Sequence, residues 1–355
     1  MSATRTDVRD EMVKAVRDLT RREVTPFAAA LDAGDSERFA RCWASARALG
    51  LDRVLLGDDL GGAGLGPAEL LAMIEETAAG DAGLAVAVLL HNVALAALPS
   101  QAVAAVADGE RWSLALPPQN PRLALDVTAS PARVCGRIPF VPGALGADGV
   151  VVLAPSLGPG VLVLRPTTPG LTIRPDPSQM GWRGAPAAAL VLDGVDNTPA
   201  TLATPVRQPV GPCATASRLV RGGVAAVARG IARRAWELAL DYARSRHQGG
   251  VPIIEHGAVR DLLAGMAAHL EGVGPSATSG VWPSHDDRGA LAAKVLASDA
   301  AVAVTTDAVQ VFGGTGYMCE TGVEKLMRDA MYCRLYPEPN WLARDRLVGC
   351  FERSR

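Results

Sequence analysis

The feature that most constrains the fold of this chain is a change of hydrophobic period that occurs twice along it. Residues 1–105 carry apolar side chains at three- and four-residue spacing, as in Val8, Met12, Val13, Val16 and Leu19. That is the stripe of an amphipathic helix, and Ser36 to Leu49 and Pro67 to Ala79 repeat it. Between them, Leu60-Gly-Gly-Ala-Gly-Leu-Gly66 reads as a structural loop and not a phosphate loop, because no clear strand precedes it and no Gly-Lys-Ser/Thr follows. Residues 106–205 change rhythm. Prolines and glycines rise, and short β-branched runs appear at Arg133-Val134, Val150 to Leu153, Val161 to Leu164 and Leu190 to Leu192. Turn residues separate them, as in Ser156-Leu-Gly-Pro-Gly160 and Pro175-Asp-Pro-Ser178, a spacing that predicts a compact antiparallel barrel or sandwich. From about 212 the helical period returns in Thr215 to Arg246, Glu255 to His269, Ala290 to Phe312 and Asn340 to Phe351. The expected fold class is α+β: a helical domain over 1–105, a β domain over 106–205 and a helical bundle, of four helices, over 206–355. Few architectures hold a small β module between two helical ones.

Composition narrows the function classes. With 355 residues, 49% hydrophobic and 20% charged, the chain has material for two or three domains with substantial cores. A net charge of −2 gives no sign of a nucleic-acid or acidic-membrane partner. The cluster Arg229, Arg233, Arg234 reads as the solvated face of a helix. The polar start lacks an apolar h-region, so no secretory signal is expected. The run Leu84 to Leu98, interrupted by His91 and Asn92, is too short for a membrane span. Six scattered cysteines without a C-x-x-C pair fit free thiols in a reducing cytoplasm, and five histidines show no metal-ligand spacing, so a cytoplasmic location and no metal are expected.

The most specific stretch runs from Gln310 to Ala330, Q-V-F-G-G-T-G-Y-M-C-E-T-G-V-E-K-L-M-R-D-A. Gly313, Gly314 and Gly316 allow positive φ and close approach of a backbone or ligand, and Gln310 offers amide donors and acceptors one turn earlier. A G-G-x-G run alone is most often a turn. The whole stretch closely resembles the C-terminal signature of the acyl-CoA dehydrogenase family of flavoproteins, Q-x-x-G-G-x-G-Y followed by E and V-E-K-L-x-R-D-A. The resemblance covers nearly the whole chain, including the order of helical and β parts. It implies FAD as cofactor, with this loop meeting the FAD of a neighbouring subunit.

Two further stretches carry the resemblance. Tyr242 to Val259 is similar to the family's Y-A-x-x-R-x-x-F-G-x-P-I-x-x-x-Q, which gives Arg246 the role of pairing with the FAD diphosphate. A planar, permanently charged guanidinium suits that group; the residues alone also allow an exposed arginine favoured by a helix C-terminus. Gly249 and Gly257 depart from the family's phenylalanine and glutamine. Cys135 to Asp148 resembles G-x-K-x-W-I-T-N-G-x-x-A-D, with Phe140 in the aromatic position beside the flavin and Pro142 in place of the threonine. Proline brings neither hydroxyl nor N–H. Core packing is the other reading for Phe140. Met180-Gly-Trp-Arg-Gly184 resembles the family's L-G-x-R-G turn, and Val195 the start of its strand toward the second helical domain. The T-E-P-x-A-G-S-D run bordering flavin and thioester has no counterpart; Leu116-Pro-Pro-Gln-Asn-Pro121 occupies its place.

The family reaction removes a proton from Cα of an acyl thioester, which needs a positioned carboxylate. In the commonest subgroup that glutamate follows R-D-A after six intervening residues; here the position is Pro337, and Glu338 comes next. In another subgroup the base comes from the first long helix of the C-terminal domain, at a position matching Ser217, which cannot serve. Glu338 is then either a relocated base or a rim carboxylate, in a rim rebuilt by Pro339 and Trp341. The resemblance implies α,β-dehydrogenation of an acyl thioester, on CoA or a carrier protein, with a separate electron acceptor reoxidising the flavin. Two alternatives stand beside it: a catalytically degenerate partner subunit in a mixed assembly with a homologue, and the fold reused for another reaction. Each implies association, as a homodimer, homotetramer or mixed oligomer.

Overall fold

A computed structural model describes residues 5–116, 133–153, 161–176, 178–196, 212–279 and 287–352. The turn at 156–160, most of the 116–121 segment and Pro177 lie outside these residues.

The chain begins with α1 (Arg5–Leu19), which passes through a π-turn and a 3-10 turn into α2 (Ala28–Asp32). Then follow α3 (Ser36–Ala48), α4 (Pro67–Ala78), α5 (Ala82–Ala96) and α6 (Ser100–Ala104). The starts are written in the sequence. The Asp35 carboxylate accepts the Arg38 N–H at 2.9 Å, and that of Asp81 accepts the Leu84 N–H at 2.8 Å, each capping the start of a helix. Helix α5 is apolar all round because it is buried on every side. The two polar residues that interrupt its run fasten neighbours to it. Asn92 accepts the Val54 N–H at 2.9 Å and donates to Leu51 O at 2.7 Å, and the Trp112 N–H donates to His91 Nδ1 at 2.9 Å.

Among the described residues the β module has six strands: β1 (Trp112–Ala115), β2 (Arg133–Val141), β3 (Gly149–Leu153), β4 (Val161–Leu164), β5 (Leu171–Pro175) and β6 (Ala188–Asp196). They form two three-stranded sheets, β1-β3-β4 and β2-β6-β5. Alternate residues of both close over a core of Val134, Ile138, Val150, Val152, Leu162, Leu164, Leu190 and Leu192. The arrangement is a sandwich, and one expectation is corrected: β1 and β3 run parallel, with Trp112 opposite Gly149. Strand β2 lies between them in sequence but pairs in the other sheet, so β3 returns beside β1 in the same direction. Val195 sits near the end of β6 instead of starting a strand.

The second helical part holds α7 (Pro212–Ser245), the two-residue strands β7 (His247–Gln248) and β8 (Val251–Pro252), α8 (Gly257–Ser279, kinked at Gly274), α9 (Arg288–Phe312), α10 (Val323–Cys333) and α11 (Asn340–Glu352). The two helical parts share one core because glycines on α7 permit close approach. A Cβ on Gly223 would lie 2.3 Å from the Leu89 side chain, and one on Gly230 2.2 Å from Glu75 O. The arginines read as a solvated face are partly corrected by this packing. Arg229 pairs with Glu75 at 3.2 Å and Arg233 with Glu76 at 2.9 Å, across the α7–α4 contact. Helix α9 is long and apolar enough to cross a membrane by length and composition, and it packs here between α7, α8, α10 and α11.

Candidate active site

A cleft of about 350 Å³ opens between the edge of the β module and the segment joining α10 to α11. Leu114, Phe140 and Val141 line it from one side, and Tyr332, Tyr336 and the 337–339 rim from the other. Two other clefts, one between α3 and the β module and one between α1, α4 and α7, hold none of Phe140, Arg246, Gln310, Gly313, Gly314, Gly316 and Glu338.

Phe140 reaches this cleft through a register shift. Between Ile138 and Val141 strand β2 slips against β6, and Phe140 takes a φ of 52° with its side chain 54% exposed. A bulge re-aims the side chain it carries, and a bulky residue in the left-handed region costs of order 1–3 kcal/mol, a strain that recurs at ligand sites. Pro142 contributes its carbonyl, which accepts the Ser113 hydroxyl at 2.7 Å and ties β1 to the turn after β2.

The opposite wall is fixed by the Lys325–Ala330 part of the sequence signature, whose charged groups act as an interdomain clamp. Lys325 Nζ lies 2.7 Å from Asp329 and 3.0 Å from Asp81, both buried; burial opposes its charge, but the two carboxylates raise its pKa well above the usual lysine range. Asp329 also accepts the Trp182 N–H at 2.6 Å, linking α10 to the turn before β6. Arg328 holds Asp32 at 2.6 Å and donates to Met180 O at 2.9 Å. Gly181 is required there, since a Cβ would meet Arg328 O at 2.4 Å. The Gln179 amide knits the turn by donating to the carbonyls of Gly181, Trp182 and Ala185 and accepting the Ala187 N–H. Trp182 is thereby fixed beneath the cleft, with Tyr332 and Tyr336 packed on it at 4.9 and 5.8 Å between ring centroids.

Glu338 lies at this cleft, but its carboxylate is engaged in the bundle. Arg221 of α7 donates Nε to Oε1 at 2.7 Å and Nη2 to Oε2 at 3.2 Å, and the two side chains are 3% and 1% exposed. The carboxylate is thus buried beside the rim, with both its oxygens accepting from Arg221. Lys294 of α9 pins the same segment: its ammonium donates to Arg334 O at 3.2 Å, Glu338 O at 2.7 Å and Asn340 Oδ1 at 2.5 Å. Burial lowers its pKa to about 8, against the opposing pull of Glu338. Ser217 is half-buried on α7 and does not line the cleft.

The remaining sequence-singled residues gather elsewhere. Tyr242 of α7 stacks on Phe312 of α9 at 4.1 Å, which brings Arg246, Gln310, Gly313, Gly314 and Gly316 to one end of the bundle. Gly313 has φ 62°, and among the described residues no atom beyond the chain neighbours lies within 4 Å of where a side chain would start on it or on Gly314. Gly316 is buried, its missing Cβ leaving room for Phe312 and Val309 O. Arg246 and Gln310 are exposed, and the Arg246 guanidinium has no ion pair among the described residues. From Arg221 to Ser245 is 24 residues of α7, about 36 Å at 1.5 Å per residue. The structure thus brings Phe140 and Glu338 to one site and the other five to a second, distant one. Sequence reasoning missed Arg221, Lys294, Tyr332 and Tyr336; the i, i+4 spacing of the two tyrosines was the only local signal.

This architecture is shared with known structures. Butyryl-CoA dehydrogenase from Megasphaera elsdenii superposes with a TM-score of 0.84 over 99% of this chain and 100% of that one, at 23% identity. The fold is therefore that of an acyl-CoA dehydrogenase, with helical, β and helical parts in that order. Family models for the acyl-CoA dehydrogenase N-terminal domain and C-terminal domain match residues 6–105 and 215–337. The chain belongs to the acyl-CoA dehydrogenase family. Among its relatives, 3-sulfinopropanoyl-CoA desulfinase of Paraburkholderia xenovorans is 38% identical over 179 residues, 48% of this chain and 45% of the relative. With several such relatives the matched stretch spans about half their length. Cyclohex-1-ene-1-carbonyl-CoA dehydrogenase of Geobacter metallireducens is 29% identical over 93% of this chain and 94% of its own length.

Proposed function

We propose that the chain is a FAD-dependent oxidoreductase that takes an acyl thioester into the cleft beside Phe140. The observation that carries this reading is the cleft itself, where an exposed aromatic ring is held at a strained backbone position against an apolar wall. The residues present fit a flavin dinucleotide. Phe140 offers a face to the ring system, and the unpaired guanidinium of Arg246, beside the open backbone of Gly313 and Gly314, suits a diphosphate with Gln310 close by. When bound, FAD supplies the two-electron acceptor for the substrate, and a separate acceptor reoxidises it.

About 36 Å of α7 lies between Arg221, which clamps the cleft rim, and Ser245, beside Arg246, and in this reading the two sites belong to a cofactor shared between two chains. Exposed Leu296, Leu335, Trp341, Val348 and Phe351 supply apolar surface for a dimer or a dimer of dimers. In this reading Glu338 is a positioning residue. Clamped by Arg221, it fixes the Pro337–Pro339 rim. The apolar lining excludes water.

The test is an absorption spectrum during FAD titration, followed by anaerobic mixing with a panel of acyl-CoA and carrier-bound thioesters. Flavin bands that bleach with one of them support the proposal. A colourless protein that takes up no FAD ends it.

The captured Glu338 carboxylate specifically favours a second reading, a family member whose cleft no longer abstracts a proton. Such a chain serves as partner to a catalytic homologue or promotes a reaction without net oxidation, as the name of the desulfinase relative illustrates. Turnover of a thioester with no change in flavin absorbance selects it.

A further inference from the structure

Resting on the reading of the cleft as an acyl-thioester site, we propose that Lys294, which does not itself line the cleft, is the positioning residue that fixes the shape of the acyl slot by holding the 334–340 segment in place. Leu335, Tyr336, Pro337, Glu338 and Pro339 form the wall opposite Phe140. Lys294 of α9 is fully buried and lies outside that lining. Its ammonium has three N–H donors. They meet three oxygens that all belong to this one segment: Arg334 O at 3.2 Å, Glu338 O at 2.7 Å and Asn340 Oδ1 at 2.5 Å.

The segment needs a donor from outside itself. At the end of α10 the N–H groups of Leu335 and Tyr336 both donate to Tyr332 O, at 3.0 and 3.2 Å, and the Asn340 N–H closes the loop on Arg334 O at 2.9 Å. Between these bonds Pro337 and Pro339 have no N–H to give. Buried carbonyls must still be met. Lys294 meets that of Glu338 and shares that of Arg334 with the Asn340 N–H, so it grips the start, the middle and the end of the wall. Asn340 is oriented for this. Its Nδ2 donates to Ser298 Oγ at 2.9 Å and to Asp299 Oδ1 at 3.0 Å, which leaves Oδ1 for the ammonium. The Arg221–Glu338 pair, by contrast, holds one side chain and no main-chain atom of the wall.

An apolar side chain at 294 would strand Glu338 O and Asn340 Oδ1 without the donor they now have, and an orphaned buried acceptor is costly. The wall can bring them to water by shifting toward the open cleft, at the expense of the slot's shape. The facing wall is held separately, through the Ser113 hydroxyl on Pro142 O at 2.7 Å, so the loss falls on one side.

The test compares the wild type with Lys294→Met, whose apolar chain of similar length fills the same space, each as isolated with FAD added. Hydrogen exchange read by mass spectrometry follows the wall without any substrate. Peptides over 334–342 should exchange about tenfold faster in the variant, the scale of one orphaned buried acceptor, and those of α4 and the β module should stay within about twofold. Calorimetry with butanoyl-, octanoyl- and benzoyl-pantetheine reads the slot. The tightest wild-type ligand should lose about tenfold in affinity and the margin between tightest and weakest should shrink, with FAD affinity within about twofold. Lys294→Ala should behave alike, and added propylammonium, which supplies the missing three carbons and nitrogen, should restore both readings. Asn340→Ala keeps the lysine and removes one acceptor; it should give the same local signature at smaller size, and it decides the matter where the lysine variants do not fold. Unchanged exchange over 334–342 overturns the proposal, as does exchange raised equally throughout the protein, which would make Lys294 a support of the fold alone. An unaltered order and strength of thioester binding overturns it too. A wild type that binds neither FAD nor any of the thioesters defeats the underlying function instead, while the exchange pattern still decides whether Lys294 holds the wall.

Discussion

The Glu338 carboxylate and the Arg221 guanidinium, 117 residues apart, meet in a two-point ion pair at 2.7 and 3.2 Å with both side chains buried. A carboxylate so held is a structural group first. Breaking a buried pair by removing one partner strands a charge, at about 3–5 kcal/mol. Glu338→Gln should therefore lower the stability of the protein by that order, seen as a reduced urea midpoint. Restoration by the double variant Arg221→Met/Glu338→Gln would identify the pair as the cause. If Glu338 were the base, Glu338→Gln would instead cut turnover by about 10²–10⁴ with the midpoint unchanged.

Gly181 sits where the turn before β6 presses on α10. Gly181→Ala places a Cβ 2.4 Å from Arg328 O, with backbone on both sides. We expect a loss of about 1–3 kcal/mol, as for overpacking in a tight contact. Limited proteolysis should then cut the β module before the helical parts, and the wild type should show no such order.

His91 gives the protein an acid dependence. Burial, with the positive charges of Arg53, Arg111 and Arg47, lowers its pKa to about 3, while its Nδ1 accepts the Trp112 N–H. The unfolded chain takes up a proton near the ordinary pH 6.5 that the folded chain refuses. Its contribution is full above pH 6.5 and is lost as pH falls toward 3, at about 1.4 kcal/mol per unit. Urea unfolding at pH 5 should show about 2 kcal/mol less stability than at pH 7 from this group. His91→Asn should flatten the slope by that amount.

Arg246 is exposed and has no ion pair among the described residues, so Arg246→Ala should change unfolding free energy by less than about 0.5 kcal/mol. FAD affinity should fall by roughly 10- to 100-fold, the range of a charge-assisted hydrogen bond. Fluorescence titration of the flavin measures one and urea unfolding the other; unaltered FAD affinity removes Arg246 from the cofactor site.

Tyr332→Phe removes a hydroxyl that has no hydrogen-bond partner among the described residues and keeps the ring on Trp182. Without ligand, its melting temperature should match or exceed that of the wild type, by up to about 1 kcal/mol in stability. A clear loss of stability would mean the hydroxyl has a partner within the protein.

The sequence carried the order of the parts well, because period, proline and glycine content are local properties. The helices over Ser36–Ala48 and Pro67–Ala78 fall where the apolar spacing puts them. Strands β1 and β5 were not singled out: Trp-Ser-Leu-Ala is too short to show alternation, and Leu-Thr-Ile-Arg-Pro is bounded by the same residues that mark turns. The parallel β1–β3 pair was not legible because register depends on where the intervening strand goes. At the candidate site, Phe140 could be located from its motif, but its bulge could not. The partner of Glu338 was out of reach, since no local rule links residue 338 to an arginine 117 positions earlier. The same holds for Arg229 and Arg233, whose i, i+4 spacing looks solvated until α4 covers it.

The Lys325 clamp also bears on synthesis. Asp81 lies early in the chain and is fully buried, while the cation that neutralises it is made about 240 residues later. A nascent chain on the ribosome, still lacking α10, cannot seat α5 without stranding that carboxylate. The first helices then stay loosely docked until translation is almost complete, and ribosome-bound fragments ending before Lys325 should recruit chaperones that the finished polypeptide sheds.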